Sequence, residues 1–569
     1  MKILKNLSYL ILLALLIFFV YGNLISTFFQ QDEWLTFGGF LNSQSNGGYL
    51  QFLENTIVNS GDVHVIPAAV IRSYIQIKAF HLDFSPYAIL SILNHIVNTF
   101  LVFYLAYLLL KNKALAFFTS IIYAVSSISS QSVTWLAASI NTQNSDSFLL
   151  LSFIFLYKYI QKKEKSKKFL AFSTICVFLG LLFKETLVIA ILIIPIFWAV
   201  FSDIKNKKLF WKLFFPIFLV MLIFFTIRFS MTFIAPQAAI ISQSKSWESP
   251  TTLTYLYRAI TFPLKIIPQS IIPANFIIKI ANQFVYLGYP QYFASSASET
   301  NPYVVQTILF DGASYASGIL IIFICFYFYR RFIKEKPELS KTLLFSLLLI
   351  AISAFPFLLL PGRAGYFYIF EPRHLSIAVI GASFIITLLV YGIIGLMFKK
   401  EKQRYLFSLV LLLSFVLIYT KNVRSDIRSL AEISQVRKNI LSKIYENYPQ
   451  LPKKAIIFAE SDTAYYGLPA DEKILPFQSG LGQTLMVWYG FHDNLPNCLF
   501  EGDFLYEIHS QGYKECDEYG FGYFRKIEDL KKAVEENNLS PSSVIGFSFD
   551  SHTQILTDIT SSARKDLTR

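Results

Sequence analysis

Charged side chains are scarce in this 569-residue chain, where Asp, Glu, Lys and Arg together make up only 15%. A soluble globular domain carries about 25%, so that class is excluded for the chain as a whole. With 54% hydrophobic and 17% aromatic residues gathered in long blocks, the chain reads as an integral membrane protein. Cysteine is sparse too, four in all. Cys176 and Cys325 fall in apolar runs and read as packing residues. Cys498 and Cys516 lie in a more polar C-terminal region, where a disulfide or two buried thiols would both fit. That region lacks a phosphate loop, a catalytic-triad motif and metal-ligand spacing. No small-x-small cleavage site follows the first apolar run, so that run is expected to remain as an anchor.

What the chain does have is apolar stretches long enough to cross about 30 Å of hydrocarbon as helix. Eleven are expected: Leu7 to Phe29, Pro86 to Leu110, Ala114 to Ser130, Ser145 to Ile160, Phe169 to Phe183, Thr186 to Phe201, Phe210 to Ile227, Ala313 to Tyr329, Thr342 to Leu360, Leu375 to Phe398 and Tyr405 to Thr420.

Basic residues favour short cytoplasmic loops, and here they cluster at every second connection. With Lys2 and Lys5, the groups beginning at Lys111, Lys158, Lys205, Arg330 and Lys399 hold 23 basic residues against five acids, a balance of +18. The whole chain is +13, which leaves −5 for everything else. The high pI therefore reflects membrane topology, and nucleic acid is not an expected partner. This pattern predicts a multi-pass protein of the cytoplasmic membrane with its N-terminus inside. Residues 30–85, 228–312 and 361–374 then form outer loops, and residues 421–569 form an extracytoplasmic domain after the membrane domain of residues 1–420. In the second of these loops, Pro263, Pro268, Pro273 and Lys265 argue for interfacial helices rather than a clean crossing.

The C-terminal segment reads as a small α/β domain. Ile427, Leu430, Ile433, Val436, Ile440 and Ile444 recur at helical spacing, Ala455 to Ala459 and Val544 to Phe549 read as buried strands, and Ile527 to Asn537 as a helix.

Several polar residues sit where they demand an explanation. Asp32 and Glu33 form an adjacent acidic pair directly after the first span. Lys184, Arg228, Arg363 and Arg373 break the rule that cations stay inside, and all fall at outer span ends. Snorkelling to head groups would explain any one of them alone. Lys184-Glu185 could be a structural ion pair between two short helices, Arg373-His374 a head-group anchor, and His64 an ordinary loop histidine. Asn94, His95 and Asn98 share one face of the second span, as hydrogen bonding between helices would require.

The order of these pieces resembles a known family. Asp32-Glu33 after the first span, His64-Val65-Ile66-Pro67 in the first outer loop, the run Leu90 to Leu105 with Asn94 and His95, and Leu179-Gly180-Leu181-Leu182-Phe183-Lys184-Glu185-Thr186 are similar to the GT-C superfamily of polytopic glycosyltransferases. Within it, the chain resembles the bacterial branch akin to dolichyl-phosphate-mannose protein mannosyltransferases and the related lipid-A aminoarabinose transferases. The resemblance implies a GT-C-like transmembrane fold and an inverting transfer of a sugar from a polyprenyl-phosphate donor to an extracytoplasmic acceptor. It implies Asp32, with Glu33 beside it, as the base that takes the proton of the acceptor hydroxyl. Arg373 and Lys184, with Arg363 in reserve, would stabilise the departing phosphate, Arg because its planar fork matches phosphate oxygens. His64, Glu185 and His374 are candidate substrate contacts.

The first loop has no Asp-x-Asp motif, so neither a metal nor another cofactor is expected, and it lacks the His-Pro-Pro pattern of protein mannosyltransferases. A glycan, a lipid or a protein all remain open as acceptor, alongside membrane lipids as the surrounding solvent. The competing classes are a transporter or flippase, and an O-antigen-type polymerase or ligase, acting on lipid-linked saccharides. Against the first stand the near absence of ionisable groups within the spans and the lack of a repeat between the halves. Against the second stands a large outer loop that holds only Arg228 and Arg258 as arginines.

Overall fold

A computed structural model of the chain describes residues 2–30, 32–58, 66–162, 166–202, 207–234, 252–273, 276–277, 279, 302–359, 370, 372–461, 477, 481–501, 508 and 511–568. The protein is mostly helical, with a small sheet near its C-terminus. It divides into two compact units, one of Met1–Gly22 and Leu90–Ser425, the other of Asn23–Ile89 and Asp426–Arg569.

Among the described residues each of the eleven apolar stretches is largely helical. Among the described residues six helices are long and apolar enough to cross a membrane: Leu7–Ser26, Phe84–Leu110, Phe310–Glu335, Pro337–Leu358, Ser376–Met397 and Glu401–Asn447. Lys113–Val125, Glu185–Phe201 and Phe214–Ser230 are shorter apolar helices. The stretches at 145–160 and 169–183 belong to the helices Leu136–Gln161 and Lys167–Leu181.

In the first unit, Ser376–Met397 is buried along nearly its whole length, with Pro337–Ser353, Lys113–Val125 and Thr252–Ile271 packed around it. Gly381 makes this approach close: a Cβ there would stand 2.7 Å from the Ser346 carbonyl oxygen. Small residues serve the same purpose wherever membrane helices meet backbone to backbone. Polar side chains bond neighbouring helices as the sequence suggests: His95 Nε2 lies 2.9 Å from the Ala124 carbonyl oxygen, and Asn98 donates to the Gln143 carbonyl at 2.8 Å. Outward faces carry exposed Leu15, Phe19, Phe323 and Leu417, as contact with lipid tails allows.

Thr252–Ile271 is one continuous helix despite Pro263 and Pro268 within it. Its Lys265, read from sequence with the prolines as an argument against a clean crossing, is only 2% exposed and is paired with Asp311.

Among its described residues the second unit carries the strands β1 (Lys454–Ser461), β2 (Gly512–Cys516), β3 (Tyr519–Phe524), β4 (Val544–Asp550) and β5 (Ile555–Asp558). They form one five-stranded sheet ordered β2-β3-β1-β4-β5. β1 is central and parallel to β3 and β4, while the two edge pairs are antiparallel. Strand alternation splits the core. Ile456, Phe458, Phe524 and Val544 meet Leu530, Ala533 and Ala563 of the helices Ile527–Glu536 and Thr560–Leu567. Tyr523 points the other way, onto Gly482 of the helix Leu481–Gly490. The strands and helix expected at 455–459, 544–549 and 527–537 are present.

Glu401–Asn447 is a single helix of 47 residues that runs unbroken through the expected boundary at 420. Ile427, Ile440 and Ile444 are buried on it as their spacing predicts, whereas Ile433 is 44% exposed. The first loop contributes helices Asp32–Asn46, Tyr49–Val58 and Pro67–Phe80 to this second unit. Asp32–Asn46 packs on Leu481–Gly490 and on the turn Asn497–Phe500, with Leu41 against Gly490. Cys498 and Cys516 form a disulfide, with their Cα atoms 6.2 Å apart.

Candidate functional site

The sequence Leu179 to Thr186 folds as a sharp break in an otherwise apolar helical run. Lys167–Leu181 ends where the Phe183 and Lys184 amides both donate to the Gly180 carbonyl, at 3.1 and 3.0 Å. Lys184 then adopts an extended backbone, and a 3-10 turn, Glu185–Ile189, leads into Ala190–Phe201. Gly180 permits the reversal, because a Cβ there would fall 2.3 Å from Leu187 and 3.2 Å from Phe148. The result is that Lys184 and Glu185 leave the helix axis and project to different partners.

Lys184 Nζ donates to Thr142 Oγ1 at 2.6 Å and to the Arg373 carbonyl at 3.4 Å. Glu185 pairs instead with Arg228. The two neighbours therefore act separately, and the link they would make as a simple ion pair with each other is replaced by links to three other segments.

Arg373 sits in the 3-10 turn Pro372–His374, just before the buried helix Ser376–Met397. Its guanidinium lies 4.4 Å from the ring centroid of Trp135, an arrangement that suits the planar cation. Trp135 caps Leu136–Gln161, and about two and three turns further along this helix come Thr142 and Asp146, four residues apart and so on one face. Asp146 is 2% exposed and accepts a hydrogen bond from Ser376 Oγ at 3.3 Å. Lys184 is near enough to act electrostatically on both Asp146 and Arg373. Two cations and one carboxylate, carried by residues 135–146, 184–185 and 373–376, thus share one partly buried place. The His374 ring lies tilted against Phe357, with centroids 5.1 Å apart.

Of the residues predicted from sequence, the structure brings Lys184 and Arg373 together and sets Glu185 with Arg228 beside them. Asp146, Thr142, Trp135 and Ser376 were missed. Asp146 corrects the expectation that ionisable groups are nearly absent from the spans. Its signal was available: it is the one acid in the expected span Ser145 to Ile160, and an acid in a span marks a functional site by default.

Asp32 and Glu33 lie in the other unit, in the first turn of Asp32–Asn46. Acids there are favoured by the positive end of the helix dipole. Consecutive helix residues point about 100° apart, a consequence of 3.6 residues per turn. Accordingly Asp32 is exposed, while Glu33 is buried at 6% and Trp34 at 1%, the latter among Phe28, Phe29 and Phe37. His64 and Arg363 lie outside the described residues.

Among the described residues Cys498, Cys516 and Asp517 are close enough to share a metal ion. Their two sulfurs are already bonded to each other, which removes the thiolates that would ligate it.

No family model matches the chain, and no curated protein does. Among solved structures it is similar to the oligosaccharyltransferase of Archaeoglobus fulgidus in its apo form, at 14% identity and a TM-score of 0.40 over 79% of this chain and 62% of that one. It is also similar to ArnT of Cupriavidus metallidurans, both bound to undecaprenyl phosphate (11% identity, TM-score 0.37, 96% of this chain and 94% of that one) and in the apo state (10%, 0.35, 97% and 94%).

Proposed function

We propose that this protein is a membrane glycosyltransferase that moves a sugar from a polyprenyl-phosphate donor to an acceptor outside the cytoplasm. The observation that carries the reading is the convergence of Lys184 and Arg373 at a helix break, with the lysine held by Thr142 and the arginine backed by Trp135. Fixed cations in a partly dry setting stabilise negative charge as it develops on a leaving phosphate, at no cost of reorganisation. Asp146 offsets part of the local positive charge and gives Lys184 an opposite charge nearby, which lowers the cost of keeping both ionised.

In the proposed reaction Asp32 takes the proton of the acceptor hydroxyl, whose oxygen bonds to the anomeric carbon. The bond from that carbon to the phosphate oxygen breaks, and its electron pair stays on the phosphate. A single displacement inverts the anomeric centre. Asp32 rather than Glu33 is assigned the base because its carboxylate is exposed at the helix start, where an acceptor could reach it, while Glu33 is buried. The direct test incubates the purified protein with a panel of polyprenyl-phosphate sugars and follows release of polyprenyl phosphate. Consumption of one donor supports the assignment, and inertness toward every donor with every class of acceptor overturns it.

The buried Asp146 favours one second reading, since intramembrane charges also mark transport pathways. A flippase for lipid-linked saccharides would move the donor between leaflets of a proteoliposome without breaking the sugar–phosphate bond.

A further inference from the structure

We infer that Gln269 is a positioning residue for Arg373, a role that rests on the transferase reading of Arg373 as a contact to the leaving phosphate. Gln269 Oε1 accepts a hydrogen bond from the Phe370 backbone N–H at 2.9 Å. Both residues are 2% exposed, and they lie 101 positions apart in the chain. Phe370 stands three residues before Arg373, at most about 11 Å away along even a fully extended backbone. What holds Phe370 therefore limits where the guanidinium can stand.

Gln269 can hold another segment because its own helix, Thr252–Ile271, is fixed on both sides of it. Pro268 lacks the N–H that would bond the Leu264 carbonyl within the helix. Gly318 of the neighbouring helix Pro302–Glu335 faces that oxygen so closely that a Cβ there would stand 2.2 Å from it. One turn before Gln269, Lys265 is paired with Asp311 of the same neighbour. Just beyond it, the Tyr419 hydroxyl donates to the Ile271 carbonyl at 2.6 Å. The helix cannot rotate about its axis without breaking contacts at 264, 265 and 271.

The turn that carries Arg373 is held at and after that residue by other groups. Lys184 donates to the Arg373 carbonyl, and Ser376 Oγ donates to Asp146. Gln269 fixes the chain before the turn, where the rings of Phe262 and Phe357 also pack on Phe370, with centroids 5.7 and 5.4 Å away. A guanidinium on so long a side chain stays over Trp135 only while its backbone keeps its place. Removing the acceptor strands a buried N–H, and the segment then shifts to satisfy it elsewhere. Gln269 acts on the reaction through Phe370 and is not itself a catalytic residue.

The test uses the full-length protein in detergent with Gln269→Met, which removes the acceptor at similar shape, and Gln269→Asn, which keeps an amide but is one methylene too short. Thermal melts establish that each is folded. Trp135 emission, isolated among the six tryptophans as the difference from a Trp135→Phe counterpart, reports the guanidinium beside it. In both variants it is expected to move most of the way to the spectrum of Arg373→Ala. For the lipid-linked donor that the native protein consumes, kcat/KM should fall by about 10- to 10²-fold, the scale of a small misplacement in a site. In an Arg373→Ala background the same substitutions should cost less than about threefold, because the group they place is gone. Native Trp135 emission in both variants, equal kinetic losses in the two backgrounds, or failure of both variants to fold would each overturn the inference. Inertness of the native protein toward every donor overturns the transferase reading alone, and Trp135 emission still decides whether Gln269 places Arg373.

Discussion

Lys265 and Asp311 hold Nζ and Oδ2 2.6 Å apart, with the lysine side chain almost wholly withdrawn from solvent. A buried pair of this kind contributes little net stability as a pair, yet breaking it leaves one charge stranded. Lys265→Met alone is expected to destabilise the protein by about 3–5 kcal/mol, whereas Lys265→Met combined with Asp311→Leu should restore most of the loss. Thermal melts of the three proteins in one detergent check this. Equal losses in the single and double variants would show that the helices need the pair itself.

Arg373 offers a planar fork over Trp135, which a lysine cannot reproduce. Arg373→Ala should lower kcat/KM for the lipid-linked donor by about 10²- to 10³-fold, the range for removing one transition-state charge contact, and Arg373→Lys should recover little of it. Arg363→Ala should cost far less. Similar effects at 363 and 373 would move the phosphate site elsewhere.

The opposite exposure of Asp32 and Glu33 separates two effects that the sequence alone runs together. Asp32→Asn should abolish sugar transfer while leaving the melting temperature unchanged. Glu33→Gln should instead lower the melting temperature and leave measurable transfer. Full activity in Asp32→Asn would remove it from the mechanism.

The Cys498–Cys516 bridge closes a loop with a sequence separation of 18. In the chain-entropy account a loop of this size adds about 3 kcal/mol, so Cys498→Ser should destabilise the sheet-bearing unit by about that amount. Reductant should lower the melting temperature of the native protein toward that of the variant, and should not affect the variant.

The parts of the fold that sequence revealed were those governed by local periodicity. Ala455 to Ala459 and Val544 to Phe549 are nearly pure apolar runs, and they became the central strands. β2 and β3 were not visible, because Gly520 and Gly522 replace large residues in β3 and Lys514 and Glu515 occupy β2. Tyr513 packs where those glycines leave room, with a Cβ at Gly520 only 2.2 Å from its hydroxyl oxygen. The candidate site divided in the same way. Lys184 and Arg373 stood out as cations on the wrong side of a charge pattern, but their proximity depends on contacts between segments 189 residues apart. The partnership of the first loop with the C-terminal unit is equally non-local. Nothing in the spacing of either segment announces it.

Both outer strands of the sheet are short, five residues in β2 and four in β5, and they carry Lys514, Glu515 and Asp558. Lys514 is tied to the Glu501 carbonyl and Glu515 to Lys454, so their charges are anchored beside the backbone groups they guard. A stray peptide seeking to extend such a sheet must desolvate those charges to gain only a few hydrogen bonds. Copies crowded together at high expression are therefore protected from edge-to-edge aggregation.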